Sequence, residues 1–124
     1  HFVAWLSDSR TDAVDRIEGD GPWHTVNGEV AFHNRAGLAV APIEGIATDP
    51  YGVRLESQSV WTGTAAGGRA ADSLLLCADW TSNAWDYEGA AGLGSSIGWT
   101  EASTERCSYR LPLYCFEQRP DEAG

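Results

Sequence analysis

The sequence predicts a small α+β domain made of short, irregular antiparallel strands, a short helix and a long Gly-rich loop. Three observations carry this reading. Two short runs rich in strand formers flank an Asn27-Gly28 dipeptide, which is a hairpin signal. The stretch 11–17 (TDAVDRI) sets Ala13, Val14 and Ile17 on one face at helical spacing. The stretch 81–105 is rich in Gly, Ser, Asn and Thr but also carries Trp85, Tyr87, Ile97 and Trp99, which fits an ordered loop packed on itself.

Taken in order, Phe2-Val3-Ala4-Trp5-Leu6 is a continuous apolar run, as expected of a strand buried on both faces. Ser7-Asp8-Ser9 then supplies turn and N-cap chemistry ahead of the short helix. Glu18-Gly19-Asp20-Gly21-Pro22 ends that helix. In the hairpin that follows, Trp23-His24-Thr25-Val26 and Glu29-Val30-Ala31-Phe32 are the arms. Asn27-Gly28 fits a type I′ turn, in which both central residues take positive φ. Residues 37–53 are apolar but broken by Pro42, Gly45, Pro50 and Gly52, so irregular extended pieces are expected. Residues 59–64 read as a strand running into a turn, 65–69 as a flexible loop and 73–77 as the start of another ordered segment. The last element, 109–118 (YRLPLYCFEQ), reads as a closing strand. No internal repeat or linker appears, so 1–118 is one domain and 119–124 a polar tail.

Composition narrows the function classes. The chain has 18 acidic residues against 8 basic ones, a formal net charge of −10. Binders of nucleic acid or heparin need a basic face, so neither partner is expected. The basic residues are all Arg: Arg10, Arg16, Arg35, Arg54, Arg69, Arg106, Arg110 and Arg119, dispersed among the acids, with Arg106 and Arg110 expected to pair with local carboxylates. The six Trp residues read mainly as core, with one or two as exposed platforms for a sugar or a partner. No apolar run reaches the roughly 18 residues of a membrane span, and no signal peptide is recognised, so membrane insertion is not expected. The chain opens at His1 and has no Met, as expected of a processed product or of part of something longer.

The three cysteines are Cys77, Cys107 and Cys115. Their spacing matches no Cys-x-x-Cys redox or zinc site, so a structural disulfide between at least one pair is expected, with one thiol lacking a partner inside the chain. Cys115 lies between aromatics on an apolar strand, which argues for burial or a disulfide rather than a nucleophile.

As an ordered set, several pieces resemble the endostatin-like members of the C-type-lectin-like family, including their bacterial extracellular relatives. These are Phe2-Val3-Ala4-Trp5-Leu6-Ser7, Val60-Trp61-Thr62-Gly63, Gly68-Arg69, Cys77-Ala78-Asp79-Trp80, Cys107 and Leu113-Tyr114-Cys115-Phe116-Glu117. The resemblance implies a C-type-lectin-like fold, a Cys77–Cys107 disulfide, and a partner for Cys115 outside the chain, on an N-terminal helical part that is missing here. Closing that loop stabilises by roughly 3–4 kcal/mol on the chain-entropy model.

Sugar-binding members of the family hold calcium through a Trp-Asn-Asp motif. The matching place here reads Trp99-Thr100-Glu101, so calcium-dependent sugar binding is not carried over. Asp79, Asn83, Asp86, Glu88 and Glu101 remain weak calcium candidates, since calcium takes about six to eight oxygens. Some endostatins bind zinc through N-terminal histidines, but His1 falls elsewhere in the pattern, and His24 and His33 read as surface or hairpin-packing residues. Catalysis has little behind it: no Gly-x-Ser-x-Gly elbow occurs, and Asp12 and Asp15 read as solvated helix surface. No cofactor is expected. The sequence thus points to a secreted or cell-surface recognition or adhesion module, not an enzyme, that binds a protein or glycan ligand through Trp85, Tyr87 and Trp99. The alternative is a self-assembling structural subunit of an extracellular assembly.

Overall fold

Strand β1, Phe2–Ala4, lies antiparallel to the final strand, Cys115–Glu117, and brings the two ends of the described chain together. The structure is a computed structural model that describes residues 2–43, 51–52, 58–94 and 97–118. His1, Arg54, Arg119, the 119–124 tail and much of the irregular 37–53 segment lie outside the described residues. The chain forms a small mixed α+β domain of few short helices and several antiparallel strands. In chain order it runs β1, the one-turn helix α1 (Ala13–Arg16), β2 (Trp23–His24), β3 (Val30–Phe32), β4 (Ser59–Trp61), β5 (Glu88–Leu93), β6 (Ser103–Arg106) and β7 (Cys115–Glu117). Pairing is β1-β7, β2-β3 and β4-β5-β6.

The core is aromatic. Trp5, Phe32, Trp99, Tyr114 and Phe116 are buried in one cluster with Ile17, Leu38 and Val60. Trp5 and Trp99 meet at 4.6 Å between ring centroids, and Phe32 and Trp99 at 5.1 Å. Rings of this size remove much apolar area from water per residue, which a domain of this length needs. A chain of buried hydroxyls crosses the same region. The Ser7 and Thr64 hydroxyls share a hydrogen bond at 2.8 Å, the Thr62 hydroxyl donates to the Thr100 carbonyl at 2.5 Å, and the Tyr114 hydroxyl donates to the Trp99 carbonyl at 2.7 Å. Each of these hydroxyls has a partner, so its burial is not penalised.

Local chemistry accounts for the first turn of structure. The Asp8 carboxylate accepts from the Arg10 and Thr11 amides, each at 2.9 Å, and so forms the turn expected at Ser7-Asp8-Ser9. These amides, that of Arg10 above all, hold Asp8 below its ordinary carboxylate range, with Arg16 adding to the effect. The Ser7 hydroxyl accepts from the Ala13 amide at the start of α1. Ala13 and Ile17 point into the core as the spacing predicts. Helix α1 is shorter than the expected 11–17 segment. Its carbonyl end is taken up by the Arg35 guanidinium, which donates to the carbonyls of Val14 and Ile17.

Several sequence expectations are corrected here. β1 is not buried on both faces: Phe2 is 67% exposed, and Val3 and Ala4 are half-buried. The β2-β3 hairpin forms, but its turn is not type I′. Only Gly28 of the two turn residues takes positive φ (88°), the Gly28 amide donates to the Thr25 carbonyl, and the Thr25 amide donates to the Glu29 carbonyl. This is the longer hairpin loop with a glycine bulge. Residues 65–69 are not a loose loop, since the Ala65 amide bonds the Arg69 carbonyl and the Gly68 amide bonds the Ala65 carbonyl. Asp12 is not solvated surface: it accepts from the Ala70 amide at 2.7 Å and pairs with Arg69 at 3.3 Å. The stretch 81–105 is not one irregular loop either, because β5 and part of β6 lie within it and form two strands of the three-stranded sheet.

Cys115 is the sharpest correction. It is exposed and free, not buried and not disulfide-bonded within the chain. Side chains alternate along a strand, so β7 turns Tyr114 and Phe116 into the core and Cys115 outward.

Candidate functional site

The β4-β5-β6 sheet carries the candidate site, with β5 in the middle. Cys77 and Cys107 close this region with a disulfide, the pairing that the resemblance implies, with Cα atoms 5.7 Å apart. The bond lies in a second buried cluster with Trp61 and Ala91.

Directly after the first cysteine the backbone does something unusual. Cys77, Ala78, Asp79 and Trp80 all take positive φ, at 48°, 53°, 55° and 67°. Four consecutive non-glycine residues therefore form one left-handed turn, Cys77–Trp80. In this conformation Cβ crowds the following carbonyl, at about 1–2 kcal/mol per residue. The surroundings hold the turn in place. The Asp79 carboxylate accepts from the Ser9 amide at 2.8 Å and from the Ser9 hydroxyl at 2.6 Å. The Trp80 indole N–H donates to the Ser7 carbonyl at 2.7 Å, and its ring packs on Trp61 with centroids 5.6 Å apart. Two glycines make the room. A Cβ on Gly89 would fall 2.7 Å from the Cys77 sulfur, and one on Gly63 would fall 2.5 Å from the Trp80 ring.

At the far end of the same segment stands an aromatic ledge. Trp85 is 69% exposed and Tyr87 is 51% exposed. Arg106, at the end of β6, holds both the backbone and the ring of Trp85. Its guanidinium donates to the Trp85 carbonyl at 2.8 Å and stacks 5.6 Å from the ring centroid. The Cys107 amide donates to the Tyr87 carbonyl at 2.9 Å, so the disulfide also anchors Tyr87. Tyr109 is likewise half exposed, and its amide donates to the Arg106 carbonyl.

Of the three expected ligand-binding residues, the structure leaves Trp85 and Tyr87 exposed, two positions apart in the chain, and removes Trp99. Trp99 is fully buried between Trp5, Phe32 and Tyr114, so it is core rather than platform. Arg106 was expected to pair with a carboxylate, and it instead engages Trp85. The calcium candidates do not converge. Asp79 is taken by Ser9, the Glu88 carboxylate accepts from the Thr104 hydroxyl at 2.7 Å, and the Glu101 carboxylate accepts from the Ala66 amide at 3.2 Å. Asn83 and Asp86 are exposed on the segment leading to β5. Among the described residues no group of three or more His, Cys, Asp or Glu side chains could hold a metal ion. His24 and His33 are exposed beside the hairpin.

Sequence reasoning missed Arg106, Tyr109 and the left-handed turn. Arg106 left a partial signal, being next to Cys107 and therefore brought to the start of the loop by the disulfide. The turn left none in its own residues, since only Asp79 among them is of a type that enters this conformation readily.

The fold and the site define a small, disulfide-stapled α+β domain that presents an exposed aromatic ledge. Comparison with known proteins finds no family model and no curated protein that matches the sequence. The disulfide points to a non-reducing environment, and no helix among the described residues is long and apolar enough to cross a membrane.

Proposed function

We propose that the chain is a non-catalytic extracellular recognition or adhesion module of C-type-lectin-like, endostatin-like fold that binds a protein or glycan ligand through the segment between Cys77 and Cys107. The observation behind it is the ledge: two large aromatic side chains, Trp85 and Tyr87, left in water, with the Trp85 ring stacked on Arg106 and the backbone of Tyr87 bonded to the Cys107 amide. Fixed, exposed aromatics lose little entropy on contact and bury large area, which is why they dominate binding energetics. The order of sequence pieces, the Cys77–Cys107 pairing and the β1-β7 closure support the fold reading. The net charge of −10 argues against nucleic acid and heparin as the ligand.

The test is binding of the labelled domain to a glycan array and to cultured cell surfaces, native against Trp85→Ala/Tyr87→Ala. The double variant is expected to keep its circular dichroism spectrum and lose at least about tenfold in binding. Binding that survives both substitutions places the site elsewhere.

A second reading has its own observation. Cys115 is exposed and free on β7, on the sheet whose β1 partner carries exposed Phe2, a geometry that suits a thiol whose partner lies outside the chain. This reading makes the domain a structural subunit of an extracellular or cell-surface assembly. Sedimentation under non-reducing conditions decides it: a strictly monomeric particle at micromolar concentration ends this version.

A further inference from the structure

The left-handed turn Cys77–Trp80 is a strained element with a removable restraint. Its first residue is half of the disulfide, and the other half, Cys107, closes β6 beside the aromatic ledge. The remaining restraints are the Ser9–Asp79 hydrogen bonds at the surface, the Trp80–Ser7 hydrogen bond and the packing of Trp80 on Trp61. Ser9 and Asp79 are exposed, and Trp80 is half-buried. Ala78 contributes no side-chain anchor that would hold it at φ 53° and ψ 52°. Cys77 and Cys107 are buried, but both are among the residues that line a groove of about 300 Å³ with Leu6, Trp61, Trp80 and Leu111, the side from which a small thiol would approach the bond.

We infer that the Cys77–Cys107 disulfide is a latch on this turn, and that a dithiol reductant entering the groove releases it. Two thiols of the reductant attack in sequence, the Cys77–Cys107 S–S bond breaks, and one S–S bond forms in the reductant. Two electrons pass from reductant to protein, and the two protons of the reductant's thiols end on the Cys77 and Cys107 sulfurs. The freed turn then leaves the left-handed region, the Ser9–Asp79 and Ser7–Trp80 contacts open, and Trp80 moves off the groove. The inference concerns the conformation of the turn and does not depend on the ledge binding any ligand.

Hydrogen exchange read by mass spectrometry tests this on the Cys115→Ser protein, which cannot reshuffle its disulfide through the third thiol, with and without dithiothreitol. Reduction is expected to speed exchange of the Trp80, Thr81 and Ser82 amides by at least about tenfold while the β1-β7 and β2-β3 amides hold. The same comparison in an added Ala78→Gly background separates relief of strain from simple loss of a cross-link. Glycine enters the left-handed region without a steric penalty, so removing that penalty at one of the four positions should make the acceleration on reduction clearly smaller. An equal acceleration in the Ala78→Gly protein overturns the inference, as does one spread over the whole chain.

Discussion

The indole N–H of Trp5 donates to the hydroxyl of Thr100 at 2.8 Å, across 95 positions of sequence. Both groups are buried, and the Thr100 hydroxyl in turn reaches the Thr64 carbonyl at 3.3 Å. One hydroxyl thus ties the segment after β1 to the turn after β4.

Thr100→Val keeps the shape and removes this hydroxyl, leaving the Trp5 N–H buried without its acceptor. A loss of about 1–3 kcal/mol in urea unfolding is expected. Thr104→Val, at an exposed position of β6, should stay within about 0.5 kcal/mol of the native protein. Equal effects at the two sites would show that the buried network contributes nothing of its own.

Gly63 and Gly89 face the left-handed turn from two sides. Gly89→Ala drives a methyl against the Cys77 sulfur, with the Trp61 ring 3.0 Å away, and should destabilise by about 1–3 kcal/mol. Gly63→Ala meets Trp80 and also forces alanine to φ 56°, so its loss should be the larger of the two. Thermal unfolding followed by circular dichroism ranks them.

The acid limb of the stability profile should carry a contribution from Asp8. Amide hydrogen bonds from Arg10 and Thr11, with the Arg16 charge, lower its folded value below the ordinary 3.8. The unfolded chain therefore takes up this proton first as pH falls. The stabilisation is fully present above 3.8 and is lost as pH drops through the lowered folded value. Asp8→Asn should flatten that part of the profile, as read by denaturant midpoints at successive pH values. An unchanged slope would assign the acid sensitivity to other carboxylates.

Cys115 should react as a single accessible thiol in the native, oxidised protein. Titration with a chromogenic disulfide reagent is expected to give one thiol per chain, and none after Cys115→Ser. A native protein that releases a second equivalent would show that the Cys77–Cys107 bond is incomplete.

Much of this architecture was legible in the sequence because it depends on neighbours along the chain. The α+β class follows from short runs of strand formers and one short helical pattern. The hairpin arms sit where Asn27-Gly28 puts them, and the turn at Asp8 is formed by amides two and three residues on. Ala13 and Ile17 face inward because a single helical turn sets them there. Trp85, Tyr87 and Trp99 were all expected to be available to a ligand, and Trp85 and Tyr87 are exposed while Trp99 is not.

What stayed hidden depends on contacts between distant segments. Trp99 and Trp85 are the same residue type in the same stretch, yet one is core and the other surface, because Trp5, Phe32 and Tyr114 from three distant segments close over Trp99. The apolar run around Cys115 looked buried because a run has no direction until a strand is paired. Once β1 lies beside β7, the alternation sends Tyr114 and Phe116 inward and the thiol outward. The turn at Cys77–Trp80 is the extreme case. The residues themselves disfavour positive φ, and it is the disulfide to Cys107, the Ser9 contacts and the space left by Gly63 and Gly89 that hold it. By itself, then, the sequence determined the class of fold, the acidic surface and the segment that carries the candidate site. Only the tertiary structure decided which aromatics face water and where the backbone is held against its own preference, because both follow from contacts between segments far apart in the chain.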